Sequence, residues 1–409
     1  MIFRIFSFIL ALCILYTGNE VQNLIHHINP AAASLTVPGI RVFANKVAEF
    51  EDGINLTIGQ PDFPTPENVK ESGISAIREN RTGYSHNAGL PALRKSVSNF
   101  FRDAYRCCYD PDSEIVITNG ASEALDSVLR TIMVEGDEVI LPSPSYSGYE
   151  PLIRLNGGTP VHLDTTESGF IPDPDALSAL INDNTKAVLF NYPSNPTGVS
   201  LPYGRMEKLA DMLAEKDIFI ISDEIYSENT FMNKHISFGT FENIHNRLFI
   251  IHGLSKSHAM TGWRIGYVLG PKTVMEHVLK VHLNNSICAS LPSQYAAIEA
   301  LDHTRGFPHE MNTQYVERRD YTYRRLENMG LTSKKPAGAF YIFPDISATG
   351  MDDVSFTTKL LEEEHVAVVP GSTFSKNDHS RIRISYASSL DNLANGMDRM
   401  EHFIARQKP

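Results

Sequence analysis

The sequence comprises 409 residues, of which 42% are hydrophobic and 21% are charged, and this composition excludes wholesale disorder. A chain of this length predicts two domains rather than one small core. Its net charge of -12 argues against a surface that binds nucleic acid, because a phosphate backbone would be repelled rather than neutralised.

The chain opens with an apolar stretch at residues 2–16. This stretch is too short to span a membrane comfortably, and no clear cleavage site with small residues follows it. It is a signal peptide or short anchor, a genuine extension, or translated DNA upstream of a true start near Val21. We favour the mis-assigned start, which a peptide covering residues 6–16 in mass spectra of the natural protein would contradict.

The four cysteines do not form a disulfide or metal pattern. They show no CxxC spacing, and Cys107 and Cys108 are adjacent, a pairing that would strain any disulfide. We therefore expect reduced thiols at Cys13, Cys107, Cys108 and Cys288 and a reducing, cytoplasmic location.

From residue 55 onward, short apolar runs rich in β-forming residues alternate with amphipathic helical stretches, which predicts an α/β fold. After Ser122, for example, four apolar side chains from Leu125 to Ile132 fall on one helical face. Continuous apolar runs indicate a mostly parallel sheet covered on both sides. The predicted strands are 115–118, 138–141, 187–190, 218–222, 248–251 and 265–269.

Polar residues follow five of these runs, namely 120–122, 142–146, Asn195, Asp223 and Lys256. Ligands of open α/β sheets bind just beyond the carboxyl ends of the strands, so this convergence predicts a binding site. Past residue 301 the pattern changes to a charged helix at 315–329 and short strands at 336–343 and 381–386, which indicates a smaller second domain.

Lys256 follows a buried strand and lies among small residues, an unfavourable place for an unpaired ammonium group. A lysine desolvated beside other cations loses its proton more easily and becomes an amine nucleophile. Asp223 lies within the run 220–226, at the end of its strand-like part, and is either a solvated carboxylate at a strand end or a ligand contact. Arg383 lies between apolar neighbours, so it either pairs with an internal acid or binds an anion, and Arg381 competes with it.

Other candidates carry weaker signals. The run 191–198 around Asn195 is a turn rich in proline, asparagine and glycine, and we expect a cis bond between Asn195 and Pro196. Ser122 opens a helix and is either an ordinary N-cap or part of an anion site. Tyr146 and Tyr84 are each either packing residues or ligand contacts.

Together these segments resemble the class I and II aminotransferases of pyridoxal-phosphate (PLP) fold type I, over about residues 34–405. The segment 253–266 around Lys256 matches the family's lysine motif. The resemblance implies a large domain at 61–300 with a mostly parallel seven-stranded sheet, a smaller α/β domain at 34–60 and 301–409, and an N-terminal extension at 1–33.

The resemblance also implies the role of each site residue. Lys256 carries PLP as a Schiff base and acts as general acid and base, and Asp223 keeps the pyridine nitrogen protonated. Tyr226 and Asn195 contact the 3′ oxygen of the cofactor, and Tyr146 stacks on its ring. Four residues of the same subunit hold the cofactor phosphate, namely Ala121, Ser122, Ser255 and Arg264. Tyr84 reaches this phosphate from the neighbouring subunit of a homodimer. Arg383, Gly59 and Asn195 bind the substrate.

The implied reaction transfers an amino group between an L-amino acid and a 2-oxo acid, with 2-oxoglutarate as the expected acceptor. The sequences of these motifs most resemble those of a bacterial aminotransferase A group. This resemblance implies that the amino donor is N-acetyl-LL-2,6-diaminopimelate, a substrate of lysine biosynthesis. An aromatic amino acid aminotransferase and a PLP-dependent C–S lyase are the alternatives. A DNA-binding regulator of this fold would need a separate domain, for which residues 1–33 leave no room. We expect no bound metal, nucleic acid or membrane partner.

One residue bears on the substrate. No arginine lies between Arg264 and Arg305, so the arginine that aspartate enzymes use for a distal carboxylate is absent from that stretch. Arg41 is either its substitute or a surface charge.

Overall fold

A computed structural model describes residue 24, residues 27–36 and residues 39–407. The apolar stretch at 2–16 and Cys13 lie outside the described residues. The described residues before residue 37 belong to one unit and residues 39–407 to another. In the first unit, helix α1 (Pro30–Ala33) begins with proline, and the Asn29 side chain accepts a hydrogen bond from the Ala31 N–H at 2.9 Å.

The second unit is built around a seven-stranded sheet in the order β2-β8-β7-β6-β5-β3-β4. Strands β7, β6, β5, β3 and β4 are parallel, and β8 is antiparallel to both of its neighbours. The prediction of a mostly parallel seven-stranded sheet is therefore confirmed, although β4 was not among the predicted strands. The bounds are β2 (Ile115–Thr118), β3 (Glu138–Ser143), β4 (Thr159–Asp164), β5 (Thr185–Asn191), β6 (Phe219–Asp223), β7 (Leu248–Gly253) and β8 (Gly266–Leu269).

Both faces of this sheet are buried. Along β5, Val188 and Phe190 pack into one hydrophobic cluster while Ala187 and Leu189 pack into another on the opposite face. This alternation explains why the strand reads as a continuous apolar run. The helices of this part are α3 (Glu67–Arg78), α4 (Pro91–Tyr105), α5 (Ala121–Ile132), α6 (Tyr149–Leu155), α7 (Pro174–Leu180), α8 (Tyr203–Ala214), α9 (Lys272–Ser286) and α10 (Leu291–His303).

Two smaller sheets accompany the large one. Strand β1 (Ile54–Asn55) pairs in parallel with β10 (Val366–Ala367), and β12 (Ile382–Ser385) lies between β11 (Val369–Pro370) and β9 (Tyr341–Ile342). The helices here are α2 (Gly39–Val47), α11 (Phe307–Met329), α12 (Asp353–Glu364) and α13 (Leu390–Gln407). The assignment of 61–300 to one domain and of 34–60 and 301–409 to the other stays a prediction.

Four short 3-10 helices complete the described elements, at Phe238–Thr240, Glu242–Arg247, Ser347–Thr349 and Gly371–Thr373. Within the described ranges, no helix is both long enough and apolar enough to cross a membrane. Cys107, Cys108 and Cys288 are free thiols.

Candidate active site

Asp223 is the last residue of β6 and is only 8% exposed. One carboxylate oxygen accepts a hydrogen bond from the Tyr149 hydroxyl at 2.8 Å, and the other accepts from the Ile225 N–H at 3.2 Å. Burial raises the pKa of Asp223 to about 6, although these two hydrogen bonds and the charge of Lys256 oppose the shift. A buried carboxylate of this kind is stabilised further by a cation placed against it.

Lys256 follows β7 and is partly buried. Its Nζ donates a hydrogen bond to the Gly59 carbonyl oxygen at 2.7 Å and lies 5.9 Å from the centres of the Tyr226 and Phe340 rings. Burial and the positive charge of Arg264 lower the pKa of Lys256 to about 8, against the opposing effect of Asp223. Near pH 8, the Lys256 amine is therefore neutral and nucleophilic in about half of the protein molecules.

The helix α5 begins at Ala121, immediately after β2 and a two-residue turn. Gly120 has φ of 90°, and a Cβ atom there would collide with the guanidinium of Arg264. Arg264 also donates to the Thr261 carbonyl oxygen at 3.1 Å, so it is held beside the first turn of α5. The helix N-terminus and this guanidinium together make an anion site.

Two serine hydroxyls adjoin the anion site in sequence. Within the described residues, the hydroxyls of Ser122 and Ser255 take part in no hydrogen bond with the protein. Both are therefore free to donate to a phosphate group, as the resemblance implies.

Arg383 lies on β12 and is 1% exposed. Its guanidinium donates to the Asn195 side-chain oxygen at 2.8 Å and to the Thr57 carbonyl oxygen, and its Nε has no partner among the described residues. Arg381, in contrast, forms ion pairs with Asp378 at 2.8 Å and Asp345 at 3.3 Å. Because Arg381 is neutralised by acids and Arg383 is not, the geometry favours Arg383 as the anion-binding residue.

Asn195 and Tyr226 are both buried. The bond between Asn195 and Pro196 is cis, as expected from the sequence. The Asn195 backbone N–H donates to the Asn191 side-chain oxygen at 3.0 Å, and the Asn195 side-chain oxygen accepts from Arg383. The side-chain Nδ2 of Asn195 makes no hydrogen bond in the described part of the chain. The Tyr226 hydroxyl contacts the Tyr341 hydroxyl at 2.9 Å.

The two remaining tyrosines are more exposed. Tyr146 is 39% exposed, and its ring meets that of Tyr149 edge to face at 5.3 Å between centroids. Desolvation nevertheless raises the pKa of Tyr146, and the charges of Arg383, Arg41 and Arg264 oppose this effect. Tyr84 is 81% exposed, so its predicted contact with a neighbouring subunit stays a prediction.

Several residues that bear on the site were not predicted. Tyr149 donates to Asp223, and Tyr341 contacts both Tyr226 and, through its ring, the guanidinium of Arg383 at 4.5 Å. The Glu123 carboxylate accepts from the Asn119 backbone N–H, from His282 at 2.8 Å and from Ser286 at 2.6 Å. Glu123 thereby fixes the turn that precedes Ala121. Apart from the contact between Asn119 and Glu123, these contacts join distant parts of the chain, and no local motif indicates them.

The arrangement fits a flat cofactor with a phosphate at one end and a cationic ring nitrogen at the other. The anion site at Ala121 and Arg264 suits the phosphate, and the buried carboxylate of Asp223 suits a pyridinium. The amide Nδ2 of Asn195 and the Tyr226 hydroxyl can bind an oxygen on the ring. Lys256 provides the amine that an aldehyde requires.

Comparisons with known proteins agree with this chemistry. The family model for aminotransferase class I and II matches residues 51–400. A Bacillus subtilis (strain 168) protein named "Probable N-acetyl-LL-diaminopimelate aminotransferase" is 48% identical over 385 residues, covering 94% of this chain and 97% of that protein. "Aromatic-amino-acid aminotransferase 2" of Thermococcus litoralis is 37% identical, covering 90% of this chain and 96% of that protein.

Solved structures share the same fold. Aspartate aminotransferase from Thermus thermophilus with maleate superposes with a TM-score of 0.88 at 34% sequence identity, covering 92% of this chain and 99% of that chain. The similarity therefore extends over both the large sheet and the smaller ones.

Proposed function

The chain belongs to the family of class I and II aminotransferases, and from this premise we propose that it carries PLP on Lys256. The enzyme transfers an amino group between an L-amino acid and a 2-oxo acid. The observation that carries the assignment of the cofactor is the pairing of the buried Asp223 carboxylate with the partly buried Lys256 amine. A lysine with a lowered pKa and an aspartate with a raised pKa act on each other's charge beside an anion site.

Bound PLP supplies an electron sink that stabilises negative charge at the substrate Cα. The chain's own residues do the rest. Lys256 would hold the cofactor through its amine, and the same amine, when free, would accept the proton from the substrate Cα and so act as general base and then as general acid. Asp223 would hold the proton on the ring nitrogen, and Tyr226 and Asn195 would donate hydrogen bonds to the 3′ oxygen.

The substrate α-carboxylate binds Arg383. Guanidinium suits this role because its planar fork donates two parallel hydrogen bonds to a carboxylate, and the buried Nε of Arg383 has no partner among the described residues. Asn195 and the backbone around Gly59 complete this end of the substrate site. The Lys256 amine donates a hydrogen bond to the Gly59 carbonyl oxygen, which supports a position for this amine beside the same end of the substrate site.

We propose N-acetyl-LL-2,6-diaminopimelate as the amino donor and 2-oxoglutarate as the acceptor, which would assign the enzyme to lysine biosynthesis. The Bacillus subtilis relative at 48% identity supports this donor. The Thermococcus litoralis relative, at 37% identity, supports aromatic amino acids as the second candidate. The maleate named with the Thermus thermophilus enzyme supports a dicarboxylic partner substrate.

A half-reaction assay tests the proposal. Purified holo-protein is mixed with one amino donor at a time, without an oxo acid, and the cofactor absorbance is followed together with the products. We expect the diaminopimelate derivative to give one equivalent of 2-oxo acid and convert the cofactor to its amine form. A C–S lyase would instead release pyruvate continuously from a sulfur amino acid. Absence of a half-reaction with every donor would contradict the proposal.

The pH dependence of PLP capture follows from the lowered pKa of Lys256, about 8. Only the neutral amine attacks the aldehyde, so the capture rate of apoprotein should rise about tenfold per pH unit below 8 and level off above it. Stopped-flow absorbance measures this rate. A free lysine analogue, whose pKa is about 10.4, serves as control because its rate keeps rising to that pH. A protein profile that follows the free amine would contradict the lowered pKa.

Two further proposals accompany this function. We propose a homodimer in which Tyr84 reaches the phosphate of the neighbouring subunit, which its exposure supports. A cytoplasmic location is proposed from the cysteine pattern, of which three thiols are free among the described residues.

A further inference from the structure

A carboxylate lies in the first turn of the helix that carries the anion site. Glu123 is the third residue of α5, and its negative charge would by itself disfavour a phosphate group bound at Ala121. Burial alone would raise the pKa of Glu123, but hydrogen bonds from the protein, first from His282 and Ser286, lower it to about 2. The carboxylate is therefore charged near neutral pH, and its place in this turn requires a structural reason.

One carboxylate oxygen of Glu123 holds Asn119, the residue before Gly120. It accepts hydrogen bonds from the backbone N–H of Asn119 at 2.5 Å and from its side-chain Nδ2 at 3.0 Å. The Asn119 carbonyl oxygen accepts in turn from the Arg264 guanidinium at 3.4 Å, and its side-chain oxygen accepts from the Ser290 N–H at 3.3 Å. Glu123 is thus connected to the guanidinium of the anion site through a single residue.

The other carboxylate oxygen of Glu123 joins this turn to α9, a helix that packs against α5. It accepts from His282 Nδ1 at 2.8 Å and from the Ser286 hydroxyl at 2.6 Å. The His282 ring is fully buried, and its Nε2 has no partner among the described residues, so its polar contact is with Glu123. The two oxygens of one carboxylate therefore bind two different segments of the chain.

The turn between β2 and α5 has little room for displacement. A Cβ atom at Gly120 would collide with the Arg264 guanidinium, and a Cβ atom at Gly266 would lie 2.5 Å from the Ala121 backbone nitrogen. The N–H groups at the start of α5 and the guanidinium are therefore packed closely together. A shift of Asn119 would displace both groups from the positions in which they can bind one phosphate.

We propose that Glu123 is a positioning residue for the cofactor phosphate, because it binds Asn119 with one oxygen and α9 with the other and so fixes the geometry of the anion site. This inference rests on the proposed function for the identity of the cofactor as PLP. A glutamate in an ordinary capping box returns only to the N–H at the start of its own helix. The additional contacts with His282 and Ser286 make Glu123 a link between two helices.

The preference of the apoprotein for PLP over pyridoxal measures this role. The two aldehydes differ by the phosphate group, so the ratio of their dissociation constants separates phosphate binding from imine formation at Lys256. We expect Glu123→Ala to weaken PLP binding about 10-fold to 100-fold while leaving pyridoxal within about threefold. Glu123→Gln should keep the wild-type ratio within about threefold, since its amide oxygen can accept from Asn119 and its amide N–H can donate to Ser286.

Two further variants complete the comparison. Glu123→Asp keeps the charge but is one methylene too short to bind both Asn119 and α9, so it should weaken PLP binding at least about fivefold. This variant decides the question if circular dichroism shows that Glu123→Ala does not fold. Asp126→Ala is the matched control, because Asp126 is a carboxylate on the same helix that pairs with Arg130 at 2.7 Å. Its ratio should equal that of the wild type.

Binding of inorganic phosphate separates this inference from the proposed function. Isothermal calorimetry on apoprotein requires neither an aldehyde nor Lys256, and Glu123→Ala should weaken phosphate binding about 10-fold to 100-fold. The role of Glu123 would be overturned by equal loss of PLP and pyridoxal, by phosphate binding that is unchanged or absent already in the wild type, or by Glu123→Gln as weak as Glu123→Ala. Failure of wild-type protein to bind PLP would overturn the proposed cofactor, and the phosphate comparison would still decide the role of Glu123.

Discussion

Replacement of Lys256 by alanine is expected to reduce turnover by at least about 10⁴-fold. The substitution removes the anchor of the cofactor and, in addition, the base that moves the Cα proton, and general acid and base catalysis alone contributes about 10²-fold to 10⁴-fold. Initial rates of amino transfer measure the loss. The visible absorbance of the protein-bound imine should also disappear, because no other described lysine has been placed beside Asp223 and the anion site.

Lys280→Ala is a suitable control for this experiment. Lys280 is 57% exposed on α9 and pairs only with Glu276 at 2.8 Å within the described residues. Its removal should change neither the rate nor the absorbance. Appreciable turnover by the Lys256→Ala protein, in a preparation whose circular dichroism matches the wild type, would refute the assignment of the catalytic amine.

Replacement of Asp223 by asparagine is expected to lower turnover by about 10³-fold. A carboxylate about 4 Å from the ring nitrogen, at an effective dielectric constant near 20, stabilises the pyridinium by about 4 kcal/mol. This energy corresponds to about three pKa units of the ring nitrogen. Asparagine preserves the shape and can still accept from Tyr149, but it supplies no negative charge.

The matched variant Asp223→Glu separates charge from shape. Glutamate keeps the negative charge and should therefore retain more activity than asparagine, even though its longer side chain disturbs the contact with Tyr149. Nitrogen-15 chemical shifts of labelled PLP report the protonation of the ring directly. A protonated ring in the Asp223→Asn protein, or a loss of activity below about tenfold, would show that Asp223 does not perform this role.

Much of the large sheet was readable from the sequence because its strands are buried on both faces and so form unbroken apolar runs. Strand β4 (Thr159–Asp164) was not predicted, because it does not form an unbroken apolar run. It is an edge strand paired only with β3, and Pro160 and His162 interrupt its apolar pattern. The predicted strand at 336–343 shrinks to Tyr341–Ile342, since Ala339 adopts a positive φ and the N–H groups of Ala337 and Gly338 bind the Gly198 carbonyl oxygen.

The candidate site was readable where the chemistry lies in a local motif, as it does around Lys256. The sequence did not predict the parts of the site in which a contact joins distant segments of the chain. The Tyr149 hydroxyl reaches Asp223 across 74 positions of the chain, and Tyr341 reaches Tyr226 across 115. The choice between Arg381 and Arg383 likewise depends on the acids that approach each of them, which only the folded chain reveals.

Trapping the cofactor on the protein tests the central claim most directly. Borohydride reduction of holo-protein fixes the bond between PLP and its lysine, and tryptic digestion followed by mass spectrometry locates the modified residue. We expect one phosphopyridoxyl group in the peptide that spans residues 248–264, with cleavage blocked at Lys256. A modification on any other lysine, or a holo-protein that reduction leaves unmodified, would contradict the account.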